Sequence, residues 1–168
     1  MEQDRTTVSV PEQIEISRWV QDTLQKEVKI PLFTNLPFSF RSLSSLFGPQ
    51  GNCRRCGIFT ILGVLHDGTY ALCGIGTSVP DLCFGHASKK NVKEIWENAE
   101  ALNQIGEHLP RYLKNICSKC LLKNIRLGSC VANNYYVEKD LLAGHKFCED
   151  AYKAGAFPMS RYAEPLKV

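Results

Sequence analysis

No cysteine occurs in the first 52 residues of this 168-residue chain, and all eight lie between 53 and 148. The longest apolar-rich run, residues 58–65, is far too short to cross a bilayer. Met1-Glu2-Gln3-Asp4-Arg5 is acidic and polar, with no apolar signal segment behind it, and no Asn-x-Ser/Thr acceptor occurs anywhere. These absences lead us to expect a soluble, cytoplasmic protein. Charge of one sign is lacking too: 20 basic against 17 acidic residues give a net +3, too balanced to point to nucleic acid. There is no internal repeat, no low-complexity tract, no glycine-rich phosphate loop and no Ser-His-Asp set. His66, His86, His108 and His145 lack metal-ligand pairing and read as surface or loop residues. A 44% apolar and 22% charged composition excludes global disorder.

What the chain does have is a cysteine-bearing body behind a cysteine-free arm. In a reducing compartment such cysteines read first as metal ligands and second as disulfides. Cys53 and Cys56 form one C-x-x-C knuckle, and Cys117 and Cys120 form another. Cys73, Cys83, Cys130 and Cys148 stand outside the knuckles. One zinc ion held by Cys53, Cys56, Cys117 and Cys120 is possible on spacing alone, as are two iron–sulfur clusters. So many arranged cysteines exceed one zinc's needs, which tilts the reading toward clusters. Cys83 reads as a small buried hydrophobe or as a spare thiol within reach of a site.

The periodicity predicts an α+β fold: a small β-hairpin domain with helices and cysteine-bearing loops, preceded by a helical arm. Ser9 caps a helix with Pro11 and Glu12 in its first turn. Ile16, Val20, Leu24 and Val28, with Trp19 beside them, make its apolar face, and Pro31 ends it. Residues 30–33 are expected to form a short strand, and residues 37–51 a loop. That loop is too rich in Phe and Leu to be a free linker. Residues 58–65 and 70–73 flank an Asp67-Gly68 turn, a hairpin expected to bring Cys56 close to Cys73. Asn91 and Glu94 open a helix carrying Ile95, Trp96, Ala99, Leu102 and Ile105, which Pro110 ends. A cysteine-dense loop spans 117–130, and a last helix near 147–154 stops at Gly155.

Cys56, then Gly68, Cys73, Cys117-x-x-Cys120, Cys130 and Cys148 follow in the order and spacing of a known motif. Gly128-Ser129-Cys130, Phe147-Cys148, Ala71-Leu72-Cys73-Gly74-Ile75-Gly76 and Phe157-Pro158-Met159-Ser160-Arg161 surround it. This resembles the SPASM domain, the C-terminal extension of radical-SAM peptide-maturing enzymes, over about residues 50–162. Residues 1–50 resemble the linker behind the catalytic barrel, and residues 51–168 the iron–sulfur domain. The resemblance implies one 4Fe–4S cluster on Cys53, Cys56, Cys73 and Cys130. It implies a second on Cys117, Cys120 and Cys148, where Arg126 stands at the family's fourth cysteine position. Arginine is cationic and lacks a lone pair for iron, so that second cluster is expected to be incomplete.

No C-x-x-x-C-x-x-C triplet occurs, so the chain is not expected to be a complete enzyme by itself. The resemblance implies an accessory module, separated from its barrel, that transfers electrons or docks peptide substrate. Its implied partners are a radical-SAM barrel protein and a ribosomally made precursor peptide, not nucleic acid or membrane. A zinc-stabilised binding module and a non-catalytic remnant of a split enzyme are the rival readings. The arm's Trp19, Leu24, Phe33, Phe38 and Phe40 form the candidate docking surface. Tyr135 and Tyr136 read as packing before they read as a peptide groove. Residues 87–126 carry eight Lys/Arg against four Glu, either a solvated face or charge balance for an anionic cluster.

Overall fold

The computed structural model describes residues 8–49, 51, 53 and 56–163. Ser9 does cap the first helix: its hydroxyl accepts the Glu12 N–H while Glu12 reaches back to the Ser9 N–H, a closed capping box. Helix α1 (Val10–Trp19) runs through a π-helical turn, Val20–Leu24, into α2 (Gln25–Glu27). Its packed stripe holds Ile14, 3% exposed, with Val20 and Leu24 half-buried, while Ile16 is exposed. A strict four-residue spacing drifts about 40° per step on an α-helix, which turns Ile16 off the stripe. Residues 30–33 form no strand, and Phe33 is 90% exposed.

Residues 37–47 pack back onto the body. A 3₁₀ turn, Phe38–Phe40, sets the Phe40 ring edge-on to Phe147 and Phe157, with centroids 5.4 and 5.9 Å away. Ser42 then caps α3 (Leu43–Phe47), which buries Leu46 in the main core with Leu72, Leu82, Ile105 and Leu127. Phe38 and Phe40 are therefore half-buried against the core and not free on the arm. Trp19 and Phe33 remain outside.

The sheet has three antiparallel strands in the order β1 (Gly63–Val64), β2 (Thr69–Ala71) and β3 (Cys83–His86). The Asp67-Gly68 turn is present, with Asp67 accepting the Thr69 N–H and Gly68 at φ +89°. The hairpin is shorter than expected, because a turn closed by the Thr60 N–H to Gly57 carbonyl bond occupies part of the first strand. Gly63 pairs with Ala71, so the hairpin sets Gly63 against the Cys73 backbone. The third strand begins at Cys83, where no strand was expected.

The expected second helix is two helices, α4 (Val92–Asn98) and α5 (Glu100–His108), broken at Ala99. Asn98 and Asn103 amides donate to the Glu94 and Glu97 carbonyls, satisfying α4's last turn from the side. The segment read as a cysteine-dense loop contains α6 (Asn115–Ser118) and α7 (Lys123–Arg126), and α8 (Val131–Glu138) follows Cys130. The last helix, α9 (Lys146–Lys153), ends before Gly155 at φ +68°, as expected. The architecture is α+β. Among the described residues no helix is long and apolar enough to cross a membrane.

Candidate metal centre

Cys117 sits on α6 and Cys148 on α9, and these helices pack together. The Glu149 carboxylate accepts the Ile116 N–H at 3.0 Å, which holds the start of α6 against α9. Cys120 follows on the turn after α6. That turn is clamped by the C-terminal segment, with the Leu121 N–H donating to the Arg161 carbonyl and the Ala163 N–H to the Lys119 carbonyl. The result is three buried thiols, 7%, 7% and 3% exposed for Cys117, Cys120 and Cys148. All three line one small cavity of about 30 Å³, together with Ser39, Lys123, Arg126, Ser129 and His145.

Two main-chain donors point at the sulfurs. The His145 N–H donates to Cys117 Sγ at 3.3 Å, and the Leu122 N–H to Cys120 Sγ at 3.4 Å. A neutral thiol is a weak acceptor, so such donors matter most when the sulfur is anionic. The Cys148 thiol hydrogen-bonds to Cys117. That bond, then burial, pushes the Cys148 pKa far up. The same bond, with the His145 N–H, holds Cys117 below its ordinary value against burial and Glu149. Of this bonded pair, Cys117 is the readier thiolate.

Gly144 makes the approach possible. A Cβ there would lie 2.8 Å from the Lys114 carbonyl oxygen and 3.1 Å from Cys117 Sγ. Asn134, 3% exposed, donates from its amide to the Gly128 and Ala143 carbonyls at 2.8 and 3.0 Å. It thereby ties the loop before Cys130 to the loop before His145. Neither residue stood out in the sequence, where Ala-Gly-His and Asn-Asn are ordinary loop and helix text.

His145 lies in the loop before α9, as read, and its half-buried ring lines the cavity. Burial, then Arg126, holds its pKa below the ordinary value. Arg126, which the resemblance sets at the fourth cysteine position, lines the same cavity as the three thiols. Its guanidinium sits 3.5 Å above the Phe38 ring. Burial pulls its pKa down, Cys53 and Cys56 hold it up, and Arg41 pushes it down. So Arg126 stands between the thiol cavity and the first knuckle.

The other implied set is looser. Cys53 and Cys73 are half-buried against the core, whereas Cys56 and Cys130 are exposed, Cys130 at the start of α8. Cys53 and Cys56 are both near enough to act on Arg126. Cys83 is half-buried in β3, its thiol donating to the Gly76 carbonyl at 3.5 Å, and is not part of the thiol cavity. None of the eight cysteines forms a disulfide. Of the local excess of cations, Lys90, Lys93 and Lys114 form ion pairs with carboxylates, while Lys123 and Arg126 line the cavity. Tyr135 bonds Asp81, as packing predicts, and Tyr136 is exposed.

Residues 53–121 match the SPASM family. Its model describes an iron–sulfur cluster-binding domain. No curated protein and no solved structure matches the chain. The SPASM match spans both knuckles and Cys73, covers less than half the chain and ends just beyond Cys120. Among the described residues, no three Cys, His, Asp or Glu side chains close on one point as ligands of a single ion. A cluster spreads its ligands over several irons, so its thiolates need not do so. Buried thiols with main-chain donors on two sulfurs and two cations in the wall suit such an anionic group.

Proposed function

We propose that this chain is an iron–sulfur module acting in radical-SAM peptide modification, as electron relay, as docking platform for a precursor peptide, or as both. The observation that carries the reading is the buried Cys117–Cys120–Cys148 cavity with N–H donors on two of its sulfurs. The SPASM match and the carried-over set of Cys53, Cys56, Cys73 and Cys130 support it. A bound 4Fe–4S cluster supplies one-electron redox chemistry. The chain's own residues fix the thiolates, shield them from water and stabilise their charge through the His145 and Leu122 N–H groups and the Arg126 cation. These 168 residues hold no SAM-cluster triplet, so the radical source is a barrel outside them, and the compartment is the reducing cytoplasm.

Zinc is the second reading. It asks for four ligands at about 2.3 Å around one ion, a tighter convergence than the three thiols make. Anaerobic reconstitution of the full chain with iron and sulfide, against zinc alone, separates the two. The expected result is a visible sulfide-to-iron absorption band and bound iron that falls sharply in Cys117→Ser and Cys148→Ala. Stoichiometric zinc with no sulfide uptake would sink the iron–sulfur reading.

A further inference from the structure

The excess of cations between residues 87 and 126 is only partly neutralised by the fold. Lys90, Lys93 and Lys114 reach Glu94, Glu97 and Asp140, and farther on Lys139, Lys146 and Lys153 reach carboxylates too. Lys119 and Lys123 do not. Among the described residues neither pairs with a carboxylate, and the same holds for Arg41 and Arg161.

Tertiary structure gathers these four around the second knuckle. Lys119 and Lys123 stand on either side of Cys120 in the chain. The Arg161 carbonyl takes the Leu121 N–H, and the Lys119 carbonyl takes the Ala163 N–H. The Arg161 guanidinium donates through Nη2 to the Arg41 carbonyl at 3.1 Å. The Arg41 guanidinium in turn lies 4.8 Å from the centre of the Phe38 ring, which also carries Arg126. Segments 37–47, 114–130 and 155–163, which supply these cations, contain no aspartate or glutamate. Glu149, on α9 against α6, is already engaged by the Ile116 N–H and Lys153.

Lys123 and Arg126 line the thiol cavity and have the sulfurs to face, whereas Arg41, Lys119 and Arg161 do not line it. The Nε donors of Arg41 and Arg161 are buried and find no acceptor. Both guanidiniums have thus given up part of their water without gaining an anion, which is unfavourable until one arrives. We propose that the patch of Arg41, Lys119, Lys123 and Arg161 docks an acidic segment of a peptide, pairing its aspartate or glutamate carboxylates. This rests on the peptide-modification reading above and deepens it by giving the docked segment its charge. A guanidinium presents paired N–H donors that match the two oxygens of a carboxylate. Nucleic acid fits less well, because its bases stack on open aromatic faces. Phe38 here carries Arg126 and Arg41, and Tyr162 is stacked on Tyr152 and faced by Lys119.

The test uses the full chain and rhodamine-labelled Gly/Ser peptides carrying spaced Glu, Gln or Lys residues, with binding read by fluorescence anisotropy. The Glu peptide is expected to bind, less tightly as salt is raised, and the Gln and Lys peptides are not. Arg161→Gln and Lys119→Glu should each weaken binding about tenfold, the scale of one charge-assisted hydrogen bond. Lys119 is exposed, so its variant probes the patch without disturbing the packed segments. Lys89→Glu, at an exposed lysine in the turn after β3, is the control and should leave binding within about twofold. Equal binding of the Glu and Gln peptides, or equal losses in Lys119→Glu and Lys89→Glu, would overturn the proposal. So would tighter binding of a single-stranded oligonucleotide of the same charge. Loading with iron and sulfide is expected to leave Glu-peptide binding in place, and its loss on loading would show that the cations serve the cluster instead. The iron–sulfur reading fails by a different result, no iron uptake, which leaves the peptide measurement on the metal-free chain standing.

Discussion

At Gly144 a single methyl group decides whether the thiols can meet. A Cβ there would lie 2.8 Å from a backbone oxygen and 3.1 Å from Cys117 Sγ, and neither neighbour is a flexible side-chain end that can swing away. Gly144→Ala is expected to cost about 1–3 kcal/mol through overpacking. It should also lower iron uptake, and denaturant melts beside an iron count check both. Asn134→Ala leaves the Gly128 and Ala143 carbonyls without their buried donor, so a loss of about 2 kcal/mol is expected in the same melts. Arg126→Gln removes a cation from the cavity wall. A nearby positive charge favours the reduced, more negative cluster, so the substitution should lower the potential. Tens of millivolts are expected on the scale of about 59 mV per tenfold in a one-electron couple, and an unmoved voltammetric midpoint would refute it. His145 gives a pH dependence. Its folded pKa lies below the ordinary 6.5, so the unfolded chain takes up the proton first. The stability it contributes is present above about pH 6.5 and is lost as pH falls through the lower folded value. His145→Gln should flatten that part of a stability-versus-pH curve for the metal-free chain.

Among the elements, the Phe38–Phe40 turn carries the most consequence for its length. It is three residues long, yet its rings reach α9, the 157 segment and Arg126 at once. Phe40→Ala is expected to cost about 3 kcal/mol, near the low end for a phenylalanine because the ring is only half-buried. It should reduce iron retention in the same preparations, since it frees the turn that lines the thiol cavity. A stability loss without any loss of iron would show that the turn packs but does not serve the site. The α4–α5 break makes a related point. Asn98 and Asn103 bond carbonyls of α4 from the side and let the chain turn at Ala99. The apolar periodicity runs straight through that position.

At the scale of the molecule, the site is assembled from segments far apart in the chain. Ser39, Cys117, Cys120, Arg126 and Cys148 meet at one cavity, and residues 161–163 clamp the second knuckle from behind. A site assembled from so many segments would couple metal binding to global folding. Removing the metal should therefore lower the melting temperature of the whole chain in one transition, which calorimetry of loaded and stripped protein would show. A separate, low-temperature transition confined to the cysteine-bearing half would argue for a locally folded site instead.

Much of this was legible in the residues themselves. Ser9 with Glu12, Asn91 with Glu94, Asp67-Gly68 and Gly155 act on atoms within a few residues, so their capping and turn chemistry is local and readable. Knuckle spacing likewise pointed to metal, and the resemblance set Arg126 with Cys117, Cys120 and Cys148, whose cavity it lines. Tertiary structure decided the rest. Burial of Phe38 and Phe40, the short first strand, the third strand at Cys83 and the inward turn of His145 all depend on what packs against them. So does Ser39, separated from Cys120 by 81 positions in the chain. Spacing is a property of neighbours along the chain, but a ligand cavity is closed by neighbours in space, and only the packed core brings those together.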